Sequence, residues 1–177
     1  GIPGTVGGAV AMDAGTRREW VGHRVRDLVV LRPGEGLHRY EGGDIEWGYR
    51  GTSIPTSEIV LEATFELSHG EKGAISRDME SRLARRRKTQ PMGKPTCGSV
   101  FRNPPERSAG ILIEAAGCKG LSCGRAQVSN EHANFIVNNG GASASDVVSL
   151  IQLMHDSVLA NHGVDLKCEV KLLGFGD

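Results

Sequence analysis

Aromatic residues are scarce in this chain: Phe, Trp and Tyr are 5% of its 177 residues, too few for an aromatic-rich stacking surface. An excess of one charge is missing too. Lys and Arg number 21 and Asp and Glu 21, a formal net charge of zero, which argues against nucleic acid or an anionic membrane as the main partner. No apolar run approaches the roughly 20 residues that span a bilayer, and the start lacks the charged, apolar, small-residue order of a signal peptide. A soluble, unexported protein is expected. The four cysteines, Cys97, Cys118, Cys123 and Cys168, form no CxxC pair, and the Cys118 to Cys123 spacing is too wide for a zinc knuckle. No metal site is expected, and reduced thiols suit a cytoplasmic protein. The chain opens on Gly1 rather than Met and reads as the middle of a fold.

What is abundant is glycine, 25 of 177, with hydrophobic residues at 38% and charged residues at 24%. That composition is globular, and a chain of this size buries about 70% of its extended surface. The opening Gly1-Ile2-Pro3-Gly4-Thr5-Val6-Gly7-Gly8 packs four glycines and a proline into eight positions. Such a backbone either frays or turns sharply and approaches a flat ligand or a phosphate with its N–H groups exposed. Residues 20–67 alternate as strands, at Val29 to Leu31, Ile45 to Tyr49 and Ile59 to Leu67, with turns at Pro33-Gly34 and Gly42-Gly43, and predict a small antiparallel sheet.

Ser76 is expected to cap a helix to about Lys88, with Ile75, Met79 and Leu83 on one face. The stretch Arg82 to Lys88 at its end either binds phosphates or complements the helix dipole. Four prolines between Gln90 and Pro105 stiffen a polar loop, the kind of segment that carries sites. A short helix from Ser108 to Gly117, a strand at Phe135 to Val137, and a helix opened by the Ser143-Ala144-Ser145-Asp146 capping box and closed at Gly163 follow. Val147, Leu150, Ile151, Met154 and Val158 are its expected buried stripe, and Lys167 to Leu173 reads as the final strand.

Taken together, Gly1 to Ala9, Gly48-Tyr49-Arg50, Gly98-Ser99-Val100-Phe101-Arg102-Asn103-Pro104, Gln127-Val128-Ser129 with His132 to Asn138, and Glu169-Val170 resemble the UDP-N-acetylenolpyruvoylglucosamine reductase family. The five motifs occur in the family's order along essentially the whole chain. The resemblance implies an α+β fold: the latter half of a flavin-binding domain of the vanillyl-alcohol-oxidase type over residues 1–70, a helical linker over 71–95, and a small α+β domain binding UDP-sugar over 96–177. It implies a bacterial, cytoplasmic step of peptidoglycan precursor synthesis, reducing UDP-N-acetylglucosamine enolpyruvate to UDP-N-acetylmuramate with FAD and NADPH. A further N-terminal region bearing the loop for the FAD diphosphate is then expected before Gly1, on a separate chain or as a lost piece. The alternative reading is a truncated fragment that binds UDP-sugar without flavin or turnover. A flavin oxidase relative sharing only the Gly-rich loop explains nothing after residue 90.

By motif, Ser99 is the proton donor to the carbanion left by hydride transfer, Arg50 grips the substrate carboxylate, and Glu169 is the second acid or enolate partner. Gly1, Ile2, Pro3, Gly4, Thr5, Gly7 and Gly8 are the cofactor segment, and Tyr49, Asn103, Arg87, Lys94, His132 and Asn134 the substrate contacts. Read as residues alone, Ser99 also fits a turn, Arg50 an exposed ion pair, Glu169 an edge strand and His132 a structural histidine. Asp13-Ala14-Gly15-Thr16-Arg17-Arg18 stands where the family has Asn-Ala-Gly-Ala-Tyr-Gly, and Thr52 replaces a serine. The short segment after Arg50 points to the single-flap type.

Overall fold

The structure, a computed structural model, describes residues 4–16 and 19–174. It divides into two compact units, Gly1–Met79 and Glu80–Asp177. In the first, helix α1 (Val6–Ala11) precedes an antiparallel sheet ordered β2-β1-β5, built from β1 (Val25–Arg32), β2 (Gly36–Glu41) and β5 (Ile59–Phe65). The alternating apolar residues of β1 place Leu28 and Val30 on one face at 0% exposure, and Leu28 lies between Tyr40 of β2 and Ala63 of β5. Val10 of α1, Leu28 and Ile45 form the core, with Tyr40, Trp47 and Val60 packed against it. Beneath the hairpin, the buried Asp27 carboxylate accepts from Arg26 at 3.0 Å and Thr64 Oγ1 at 3.0 Å, with Arg39 at 2.7 Å. These partners hold it below the usual carboxylate range, Arg26 contributing most. The two-residue strands β3 (Trp47–Gly48) and β4 (Gly51–Thr52) pair as a separate tight hairpin.

Helix α2 (Lys72–Thr89) runs across the division between the units. It begins four residues before the expected Ser76, because the Glu71 carboxylate accepts the Gly73 and Ala74 N–H groups at 2.8 and 2.6 Å and satisfies the first-turn donors. Ile75 and Met79, which share one face of the helix, are exposed.

The second unit is a four-stranded antiparallel sheet ordered β6-β9-β8-β7, from β6 (Thr96–Ser99), β7 (Ser122–Cys123), β8 (Ala126–Val128) and β9 (Phe135–Asn138), with helices α3 (Ala109–Ala115) and α4 (Ala144–His162). The capping box forms as the sequence predicts: Ser143 Oγ accepts from Asp146 N, and Asp146 Oδ2 from Ser143 N. Gly163 closes α4 at φ +63°, a conformation that favours glycine. Leu150, Met154 and Val158 of α4 pack with Ile113, Val128 and Ile136 into the larger core. The expected final strand is reduced to one bridge, Cys168 opposite Phe101, beyond the end of β6. All four cysteines are free thiols. Among the described residues no helix is long and apolar enough to cross a membrane, and no cluster of His, Cys, Asp and Glu is arranged to hold a metal.

Candidate active site

In the first unit residues 4–8 of the Gly-rich opening lead into and begin helix α1. Thr5 is its N-cap, its hydroxyl accepting from Gly8 N at 3.1 Å. Gly4 takes φ +131°, which excludes a side chain there, and the space where its Cβ would stand is open. Gly7 serves packing, since a Cβ there would lie 3.3 Å from the Val60 carbonyl oxygen of β5. The sequence candidates Gly1, Ile2 and Pro3 lie outside the described residues, as do Arg17 and Arg18.

Tyr49 and Arg50 are the two loop residues of the β3–β4 hairpin, between the Gly48–Gly51 pair. Arg50 adopts φ +65°, a left-handed conformation rare for a side chain of this size, and its guanidinium carbon lies 4.9 Å from the Tyr49 ring centre. Asp13, which follows α1, is almost fully buried and also left-handed at φ +43°, and it accepts from Gly22 N at 2.9 Å. Burial pushes its carboxyl above the usual range, while the Gly22 hydrogen bond and the charges of His23 and Arg50 pull it back. Asp13 is a residue the sequence marked only as a departure from a family pattern. Its electrostatic coupling to Arg50 spans 37 positions and leaves no local signature.

In the second unit the position of Ser99 is set by a bulge. Thr96 pairs with Val137 and Ser99 with Phe135, so three steps along β6 meet two along β9. Gly98, at φ +84°, absorbs the extra residue. Ser99 is half-buried, and the next residues, Val100 and Phe101, enter the core. On one side of this segment Val100 N donates to the Asn134 carbonyl at 2.9 Å, and the Asn134 amide accepts from Phe101 N at 2.9 Å and donates to its carbonyl at 2.8 Å. On the other side the Val100 carbonyl accepts from Glu169 N at 2.7 Å, and Arg102 N donates to the Lys167 carbonyl at 2.9 Å. The structure thus brings Ser99 and Glu169, 70 positions apart, onto neighbouring backbone.

Of the other candidates of this unit, His132 lines a groove of about 240 Å³ together with residues including Lys88, Ser108, Gly110 and Glu131. His132 Nδ1 accepts from Asn134 N at 3.2 Å, which leaves the ring proton on Nε2, and the ring meets Phe135 edge-on at 4.8 Å. Burial, helped by the Lys119 charge, lowers its pKa, so the ring is neutral at pH 7. Gly110 is required beside it, as a Cβ would lie 2.9 Å from the ring. A glycine inside α3 was the sequence signal for that close approach. Asn103 Oδ1 accepts from Ala109 N at 3.0 Å and caps α3, the role expected of Ser108, whose side chain makes no cap bond. Lys94 pairs with Glu131 at 3.7 Å, and Arg87 is exposed in the last turn of α2.

Residues 90–173 match the family model described as UDP-N-acetylenolpyruvoylglucosamine reductase, C-terminal domain. Over 174 residues, 98% of this chain, it is 46% identical to the UDP-N-acetylenolpyruvoylglucosamine reductase of Alkalilimnicola ehrlichii and 47% identical to that of Myxococcus xanthus. The chain belongs to the UDP-N-acetylenolpyruvoylglucosamine reductase family. It spans 58% and 56% of the length of those two relatives. The crystal structure of the reductase from Thermus caldophilus superposes on 97% of this chain with a TM-score of 0.85 at 38% identity, the match covering 61% of that chain. The mixed α/β architecture is therefore that of the family.

Proposed function

We propose that this chain carries the substrate-reduction chemistry of a UDP-N-acetylenolpyruvoylglucosamine reductase, converting the enolpyruvyl ether of UDP-N-acetylglucosamine to UDP-N-acetylmuramate in the bacterial cytoplasm, for peptidoglycan synthesis. The observation that carries this reading is the convergence of Ser99 and Glu169 on the two sides of Val100. The first unit is then the latter half of a flavin domain, and the second binds the UDP-sugar.

The Gly4 to Gly8 segment fits a flavin. Gly4 leaves open space where a side chain would stand, and Thr5, Val6 and Gly8 are exposed beside it. FAD held there would supply the hydride chemistry, drawing on NADPH, by which the methylene carbon of the enolpyruvyl group is reduced. The chain's own residues handle the charge and the proton. Arg50 holds the substrate carboxylate through its two-point fork and stabilises the negative charge that spreads onto it as the neighbouring carbon becomes a carbanion. Ser99 donates its hydroxyl proton to that carbon; a hydroxyl is a weak acid, but a carbanion is a far stronger base. Glu169 is the proposed second acid or enolate partner. Tyr49, Asn103, His132, Arg87 and Lys94 are the proposed substrate contacts, with neutral His132 offering its Nε2 proton to a sugar or phosphate oxygen.

The test separates the two half-reactions in the FAD-loaded protein. Ser99→Ala is expected to leave flavin reduction by NADPH intact and to slow reoxidation by the enolpyruvyl substrate by roughly 10² or more. Equal slowing of both steps assigns Ser99 to structure, and wild-type protein that binds UDP-sugar without oxidising NADPH is a binding module.

A further inference from the structure

Asn134 was read from sequence as a substrate contact, but at 2% exposure it offers a ligand almost no surface. Its amide is turned to the chain itself: Oδ1 accepts from Phe101 N at 2.9 Å and Nδ2 donates to the Phe101 carbonyl at 2.8 Å. A side-chain amide carries the donor and acceptor of a peptide group, so Asn134 stands in for a β-ladder partner just where the regular β6–β9 ladder ends at Ser99 and Phe135. The opposite edge of the same segment holds Glu169, through the Val100 carbonyl at 2.7 Å and the Phe101–Cys168 bridge. Val100 and Phe101 are thus fixed from both sides, with one of the two reacting residues hung on each end of that arrangement.

We infer that Asn134 is a positioning residue, which sets the register of the Ser99 to Arg102 segment and through it the placement of both Ser99 and Glu169. Its structural consequence stands on the hydrogen bonds alone. Its kinetic consequence rests on the roles proposed for Ser99 and Glu169. Leucine has the same branched heavy-atom skeleton as asparagine, though bulkier, but leaves the Phe101 N–H and carbonyl unpaired in a dry interior. Aspartate keeps the acceptor, yet when ionised it turns a second oxygen toward the Phe101 carbonyl. Once protonated, it regains the O–H donor and matches the amide.

The experiment compares Asn134→Leu and Asn134→Asp with wild type by amide hydrogen exchange and by single-turnover reduction of the enolpyruvyl substrate in the FAD-loaded protein. In Asn134→Leu the Phe101 and Glu169 amides are expected to exchange on the order of tenfold faster or more, with those of Leu150 and Met154 in α4 unchanged. The substrate-reduction step slows by a similar factor, while flavin reduction by NADPH and the substrate Kd hold. Asn134→Asp recovers rate as pH falls through the range of its buried carboxyl, a rise that wild type lacks. Wild-type exchange at Phe101 and Glu169 in Asn134→Leu overturns the inference whatever the reaction is. A raised Kd with unchanged rate makes Asn134 a ligand contact and overturns it too. Wild-type protein that fails to turn over refutes the proposed function instead, and the exchange result still decides this inference. Should Asn134→Leu not fold, absence of the acid recovery in Asn134→Asp overturns it.

Discussion

Arg50 holds a conformation that an L-residue avoids. At φ +65° its Cβ crowds the backbone, at a cost of roughly 1–2 kcal/mol that glycine does not incur. Strain kept at a hairpin tip, with a planar cation set against an exposed tyrosine, is where function outweighs local stability. Arg50→Gly is therefore expected to raise the melting temperature by a few degrees while slowing substrate reduction by about 10² or more. Arg50→Lys keeps the charge without the fork and falls between glycine and wild type in rate. Arg50→Met resembles glycine in rate without the gain in stability. Single-turnover kinetics beside thermal unfolding of the three variants check this, and a wild-type rate in Arg50→Met ends the carboxylate role.

At the scale of elements, the bulge in β6 and the capping box of α4 make a contrasting pair. Gly98 has no atom within 4 Å of the place its Cβ would occupy, so Gly98→Ala costs only the left-handed backbone, about 1 kcal/mol. Removing the Ser143 cap costs a similar amount, about 1 kcal/mol. The two substitutions are expected to lower denaturation midpoints comparably, yet only Gly98→Ala slows the substrate half-reaction, because only the bulge turns Ser99. Equal kinetic effects from both would mean that general stability governs the rate. Helix boundaries follow the same logic: the capping box was legible because it is local, whereas Glu71 displaced Ser76 as the start of α2 by offering both carboxylate oxygens to the first turn.

For the whole molecule, the pKa shifts predict a stability profile. Asp27, Glu58, Glu71, Asp146, Asp156 and Asp165 all have lowered values in the fold, through arginine, lysine, histidine or backbone N–H partners. A lowered carboxyl contributes stability above its unfolded pKa of about 4 and loses it as pH falls through the folded value, so the melting temperature should drop below about pH 4. His155 acts with the opposite sign. Its Nδ1 meets Asp156 at 2.9 Å and its Nε2 meets Asp165 at 3.0 Å, and these carboxylates raise its pKa. Its contribution is full below about pH 6.5 and fades as pH rises through the folded value. A second, smaller decline above about pH 6.5 is therefore expected, and His155→Gln should remove it. Melting curves from pH 3 to 9 on both proteins test the profile, and an unchanged alkaline limb in His155→Gln rejects the role of His155.

By itself the sequence determined whatever depends on near neighbours: the period-2 runs of β1 and β5, the Ser143 to Asp146 cap, the Gly163 stop, and the apolar stripe of α4. It also placed the motifs at Arg50, Ser99 and Glu169, since residue identity at a given spacing survives without coordinates. Tertiary structure alone decided what those motifs are attached to. Phe101 is bound by an amide 33 positions away, Val100 by a residue 69 positions away, and Asp13 lies within electrostatic reach of Arg50. Each of these contacts forms only when segments distant along the chain come together, and the identity of either partner carries no trace of the other. The final strand went the same way. Alternation made Lys167 to Leu173 able to be extended, but a strand exists only as far as a neighbouring edge offers partners, and here that edge offered one residue.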